Sequence, residues 1–370
     1  MQNEDLTFYS FDGNKENLME FFDNYEIENI FIPPDSAVRN LKKRPDRVCR
    51  YCGLGANQTT FKKEAHIIPH LMGNRYMVSD FECDSCNELF SKYENHLTDF
   101  LGITRTIFGT DAKKGTPNYR SRNAGLSAKA LNLPSDHKAI VISDNNGENF
   151  EIDDDSGRTE ISYQKNKYIP LFVYKSFLKI ALGLIKPDDV INYKYAFEHL
   201  IHSQSDVQLG KVATINEYSY TRNCKVHCYL FRKRRKDDLR PTHIFQIYYE
   251  NLLYQFFIPL NLEDLNLYDG KEFTIKWCPP LLLWPPKEGE NCRSRARDLS
   301  GLEKIDEEGL ISMEFLPGTM KTLSSYDPIT KVFIDASDFD MQKIVKILLV
   351  PQNPDMDFKE IFKDGLPPGY

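Results

Sequence analysis

Apolar positions along this chain fall into three patterns. The first is a helical stripe: Phe90, Tyr93, Leu97 and Leu101 recur every three or four residues and predict a helix from Asn87 to Leu101 with that stripe facing the core. Asn87, Ser91, Glu94 and Asn95 fall on a different face, and Asn87 and Glu94, seven residues apart, nearly eclipse each other two turns along. The second pattern is apolar almost all round. YIPLFVYKSFLKIALGLIKPDD predicts a buried helix from Pro170 to Ile185, stopped at Lys186 before Pro187. Lys175 and Lys179, one turn apart on it, read as its solvent edge. The third pattern is strand-like. VATINEYSY, CKVHCYLF, HIFQIYYENLLYQFFIPL and EFTIKW, dense in Tyr and Phe between 210 and 280, predict an antiparallel sheet with one covered face.

Shorter signals complete the outline. Asn14 to Tyr25 reads as a helix, and IENIFIPP as a strand halted by Pro33 and Pro34. Phe61 to Ile68 predicts a strand ended by Pro69, with a return over Arg75 to Ser79. Ala139 to Ile152 reads as a hairpin with Asn145-Asn146-Gly147 at its tip, and RTEISY (158–163) as a third strand. A second helix is expected over 188–202, and KVFIDA then DFDMQKIVKILLV suggests a strand and a closing helix. The expected fold class is α+β in three parts: an N-terminal segment (1–38), a finger with its basic approach and tail (39–122), and a larger mixed α+β domain with an antiparallel sheet (123–370).

Chemistry concentrates between Cys49 and Leu97. Two C-x-x-C pairs, Cys49/Cys52 and Cys83/Cys86, bracket the segment EAHIIPH. Each pair can fold into a knuckle offering two thiolates, and four thiolates make the tetrahedral set of a closed structural zinc site. Such a site has no open position, so its metal holds the fold. Reaction chemistry must come from what lies between the knuckles and just after them. A strand carrying His66 beside the helix of Asn87 and Glu94 would aim an imidazole, an amide and a carboxylate at one point. That is a second metal site with oxygen ligands and a base close by. Cys224, Cys228, Cys278 and Cys292 are scattered and expected to be reduced. Cys224, His227 and Cys228 read as strand residues, with metal binding as the alternative, and His199 and His202 as a partly exposed helix end on the same footing.

The order C-x-x-C, HIIP, GN, C-x-x-C-N resembles the HNH endonucleases, as does the continuation FSKYENHLTDFLG and GTDAKKGTPNYRS, over about residues 46–122. The resemblance implies a zinc-braced ββα-metal finger of the bacterial or phage type. It implies His66 as the general base that activates water against a phosphodiester, Asn74 as the loop asparagine tying the two strands together, and Asn87 as the helix residue at or near the catalytic metal. It also implies a catalytic divalent ion, Mg²⁺ or Mn²⁺, with zinc or nickel as alternatives. Many members carry Asp or His directly before the base; this chain has Ala65. Glu64, two residues from His66 and on the same face of a strand, is one candidate to supply that ligand, and Glu94 is the other.

Charge refines this picture. The net charge of −7 argues against a protein that coats nucleic acid, yet the local distribution is uneven. Arg39, Lys42, Lys43, Arg44, Arg47 and Arg50 lead into the first knuckle, and Lys62 and Lys63 precede the histidine segment. Arg105 lies past the helix, and Lys113, Lys114, Arg120 and Arg122 follow the finger. A basic flank of this kind suits phosphate contact, so Lys62, Lys63, Arg105, Lys113 and Lys114 are candidate nucleic-acid contacts. RKRRK at 232–236 reads as an exposed turn between strands, with nucleic-acid contact as the alternative. No apolar run approaches the ~18 residues needed to span a bilayer, and the acidic, polar start has no leader pattern, so a cytoplasmic protein off the membrane is expected.

These residues lead to a metal-dependent HNH endonuclease acting on DNA, double-stranded by preference. The alternative is a zinc-braced nucleic-acid-binding module without cleavage. The C-terminal two-thirds is expected to bind a regulatory ligand or partner protein, and homo-oligomerisation is left open. HNH nucleases with a large extra domain often resemble phage-defence effectors, an analogy from family context.

Overall fold

The computed structural model describes residues 7–33, 46–132, 138–144, 146–153, 158–202, 209–220, 224–236, 239–268, 275–288, 290, 292–314 and 344–351. The chain divides into two units, the first formed by 1–70, 74–94 and 169–303, the second by 71–73, 95–168 and 304–370. The class is α+β, with three antiparallel sheets and one mixed sheet among the described residues.

The first unit is built on a six-stranded antiparallel sheet ordered Tyr25–Phe31, His227–Lys233, His243–Tyr249, Leu252–Phe257, Thr214–Ser219, Arg293–Asp298. The expected Tyr/Phe-rich strands form its centre. HIFQIYYENLLYQFF is a tight hairpin, and Glu250 takes φ 53° at its turn. The helix Pro170–Leu184 lies on one face of this sheet, with Phe177 against Tyr254 (ring centroids 4.7 Å apart) and Tyr174 against Phe256 (5.7 Å). The opposite face carries Phe11, Phe21, Tyr229, Phe231, Tyr248 and Leu281, so the sheet is covered on both sides.

The buried helix departs from expectation in one respect. Lys175 and Lys179 are 0% and 1% exposed and do not mark a solvent edge. A helix enclosed all round has no wet side, so its lysines must find partners inside. Lys175 Nζ lies 5.2 Å from the centre of the Tyr93 ring, and Lys179 reaches the finger. The basic run at 232–236 divides: Arg232, paired with Asp189 and Glu28, and Lys233, paired with Asp264, belong to a strand, whereas Arg234, paired with Glu26, Arg235 and Lys236 are exposed past its end, as expected.

In the second unit Lys138–Asp144 pairs with Leu126–Asn132 on one side and, in parallel, with Ile344–Pro351 on the other. The expected hairpin over Ala139 to Ile152 does not form, because Phe150–Asp153 pairs instead with Arg158–Gln164 in a separate sheet. The Asp144 carboxylate accepts from the backbone N–H groups of Asn146, Gly147 and Asn149, turning the chain out of the first sheet. The expected closing helix is also corrected: Ile344–Pro351 is a strand. An eight-residue apolar run reads equally as buried strand or helix, and the edge of Lys138–Asp144 decides it. The expected strand KVFIDA, the tip residue Asn145, the first half of EFTIKW and the basic residues from Arg39 to Arg44 lie outside the described residues.

Candidate functional site

The finger is assembled from a short antiparallel ladder, Ala65–His66 with Val78–Ser79, and the helix Asp84–Leu101. The helix starts three residues before the expected Asn87 because Asp84 fastens its entry. That carboxylate accepts from Thr60 Oγ1 and from the backbone amides of Lys62 and Lys63, and Asp84's own amide donates to Thr60 O. Burial would raise the Asp84 carboxyl, but these bonds together outweigh it and hold it below the usual carboxylate range. Asn74 is fully buried. Its Nδ2 donates to Ile68 O (2.6 Å) and Met77 O (3.0 Å), and its Oδ1 accepts from the amides of Tyr76 and Met77. It ties the two strands, the part the resemblance implied.

All four knuckle sulfurs lie within 4.8 Å of one another, with Cys49 and Cys86 at 3.8 Å and Cys52 and Cys83 at 3.7 Å. Four sulfurs at about 2.3 Å from a tetrahedral zinc are separated by about 3.8 Å, so the cluster fits structural zinc. Gly53 takes φ 72° where the first knuckle turns, and its N–H returns to Cys49 O. Contact with Cys86 pulls the Cys49 thiol down to about 5 and pushes that of Cys86 up, an asymmetry a bound cation would remove.

A second group stands at the ladder. One donor atom each from Glu64, His66 and His70 fall within 4.8 Å of one another. His66 Nε2 is 3.6 Å from Glu64 Oε1 and 3.4 Å from Arg75 O, and the His66 and His70 rings are 4.0 Å apart. Burial first, then His70, pushes His66 down to about 4, so its imidazole is neutral at pH 7 and can accept a proton. Ligand-type residues therefore meet on the hairpin, Glu64 as one of the two expected candidates and His70 as an addition. His70 had a sequence signal that went unused, since it lies four residues from His66 in the same HIIPH run.

Beneath the hairpin is a third group. Lys179 Nζ donates to His66 O (2.5 Å) and Ile67 O (3.4 Å) and pairs with Glu82 (3.3 Å) and Glu94 (3.8 Å). Burial raises both carboxyls against the pull of Lys179, that of Glu82 to about 7. Glu94 thus reaches the backbone of His66 through Lys179. Asn87 is half-buried in the helix's first turn, its N–H donating to Cys83 O and its carbonyl accepting from Ser91 Oγ.

The candidate phosphate contacts divide. Lys62 and Lys63 are exposed beside the finger, and Lys113 and Lys114 are exposed in the second unit. Arg105 is only 8% exposed and does not project as a surface phosphate contact, because the short helix Thr104–Ile107 turns it inward. Arg50 is also diverted. Its Nη1 donates to Gly183 O (2.8 Å) and Ile185 O (3.2 Å), capping the buried helix. Elsewhere Cys228 is a buried strand residue, and His227 stacks on Tyr248.

With this geometry in view, the comparisons fall in place. Residues 49–100 match the family model described as HNH endonuclease, the span that carries the knuckles, the hairpin and the helix. The resemblance read from motif order holds over that segment, and a nuclease or nucleic-acid-binding finger is the class it defines. No curated protein and no solved structure matches the chain. No helix among the described residues is long and apolar enough to cross a membrane.

Proposed function

We propose that the chain is a metal-dependent endonuclease that hydrolyses phosphodiester bonds of DNA, double-stranded by preference, with His66 as general base. The observation that carries this reading is the meeting of His66 with Glu64 and His70 on a zinc-clamped hairpin within the HNH-matched segment. His66 takes a proton from the attacking water, and the Glu64 carboxylate 3.6 Å away stabilises the imidazolium that results. Glu64 and His70 would hold Mg²⁺ or Mn²⁺, the carboxylate offering an oxygen and the imidazole a nitrogen, a mixed set that also admits zinc or nickel. When bound, it supplies charge neutralisation at the phosphate oxygen and the departing alkoxide. Asn87 orients phosphate from the helix, while Lys62, Lys63, Lys113 and Lys114 attract the backbone. Glu94 acts through Lys179. The large remainder of the chain, centred on 123–370, raises a basal rate of cutting when it binds a ligand or partner protein; a phage-defence setting is one such arrangement.

The test is cleavage of supercoiled plasmid with added Mg²⁺ or Mn²⁺. Cleavage by the wild type that disappears in His66→Ala, at unchanged zinc content, supports the enzyme. Retention of DNA with no cutting under either metal supports the second reading, a binding module, which the missing acidic or histidine ligand at Ala65 favours.

A further inference from the structure

We propose that Lys179 is a positioning residue for the catalytic histidine, so that the nuclease site is completed by a helix lying outside the HNH-matched segment. The match ends at residue 100, whereas Lys179 belongs to the helix Pro170–Leu184. Its ammonium is 1% exposed and touches four groups of the finger: the carbonyls of His66 and Ile67 and the carboxylates of Glu82 and Glu94. Both carbonyls flank the residue whose imidazole must hold its aim. An ammonium on that backbone fixes where the ring starts, and the carboxylates fix the ammonium.

Two further observations make this contact more than filling. A buried charge is expensive unless paired and hydrogen-bonded, and Lys179 meets that condition through partners supplied by the finger, two carbonyls and two carboxylates. The surrounding fit is also close. Tyr51 Oη donates to Lys179 O (3.1 Å), Arg50 caps the helix end, and a Cβ added at Gly183 would come within 2.8 Å of Tyr51 Oη and 3.0 Å of Ile67 Cγ2. Lys179 therefore sits on a helix whose position against the hairpin is fixed on both sides of it. Lys175, one turn earlier and equally buried, lies over Tyr93 and serves as an internal control.

The catalytic half of this inference rests on the nuclease reading; the placement half does not. The experiment uses the full, zinc-loaded chain as wild type, Lys179→Met, Lys179→Gln and Lys175→Met. It measures amide hydrogen exchange across 64–78, zinc content, and plasmid cleavage with Mn²⁺ resolved into kcat and KM. In Lys179→Met, exchange across 64–78 should quicken about tenfold or more while one zinc per chain is kept. Its kcat should fall ~10²-fold with KM unchanged, the scale of a misaimed base. Lys179→Gln, which keeps a donor, should move the same way by less, and it replaces the methionine variant if that does not fold. Lys175→Met should leave exchange across 64–78 and kcat near wild type. Equal effects from Lys175→Met and Lys179→Met, or no change of exchange in either Lys179 variant, overturn the proposal. If the wild type cuts no DNA, the nuclease reading fails, and the exchange data alone decide whether Lys179 places His66.

Discussion

Two clusters in the first unit join glutamate to histidine, and their surroundings give them different uses. At Glu28, Asp189 and His243 the ligand-type atoms also lie within 4.8 Å of one another. There Arg232 reaches Asp189 (2.8 Å) and Glu28 (3.3 Å), Lys186 reaches Glu28 (3.0 Å), and Tyr193 Oη meets His243 Nδ1 (2.7 Å). Two protein cations already occupy the place a metal would take, so this cluster joins strands to the Pro187–Tyr193 turn. At Glu64, His66 and His70 the group sits on a two-residue ladder, and the Glu64 side chain is 38% exposed. The same residue types thus form an ion-pair network between elements at one place and, on a short hairpin at the other, the group proposed above to hold the catalytic ion.

The largest effect should come from breaking the brace under the second cluster. Cys83→Ser removes one of four sulfurs; structural zinc binding is on the order of 10 kcal/mol or more, and that energy is folding energy. Loss of zinc, a collapsed melting transition for the finger and abolished cleavage are expected, read by metal analysis and calorimetry. A variant that kept a full complement of zinc would undo the four-sulfur assignment.

Next comes His66→Ala. Plasmid cleavage should drop ~10²–10⁴-fold, the usual contribution of a general base, with zinc and melting temperature unchanged. His243→Ala should instead lower stability without a specific loss of turnover per folded molecule. If the two exchanged behaviours, the comparison would be inverted.

A pH series sharpens the contrast. Burial would raise the Glu28 carboxyl, but His243 and Lys186 outweigh it and hold it at about 2, against an ordinary 4.5. A folded-state value below the unfolded one means that this stabilisation is fully present above about 4.5 and is lost as pH falls from there toward 2. Chemical denaturation between those pH values should show a shallower slope for Glu28→Gln than for the wild type. Equal slopes would remove the ion-pair account of this cluster.

The smallest effect is expected at Gly183→Ala. The added methyl meets Tyr51 and Ile67, and overpacking of this sort costs about 1–3 kcal/mol. Urea denaturation should show that loss, and a neutral or stabilising result would mean the helix can step back from the hairpin.

Much of the site was legible in the chain. The knuckles follow from spacing, because metal geometry demands particular residues at fixed intervals, and the tie of Asn74 was implied by the resemblance. The buried helix and the aromatic sheet follow from periodicity. What sequence reading misjudged involved partners distant in the chain. Lys179 and Arg105 look like surface cations until packing encloses them. Asp144 looks like one side of a hairpin until its carboxylate turns the next strand into another sheet. IVKILLVP looks helical until the edge of Lys138–Asp144 takes it as a strand.

By itself, the sequence determined the four-cysteine cluster and where the finger lies, since those choices are written in local spacing. Only the tertiary structure decided which charges face water, which of two glutamate–histidine groups is closed by the fold's own cations, and that a lysine 113 positions from His66 lies beneath it. Burial and electrostatic pairing depend on distances through space, and a linear spacing does not encode them.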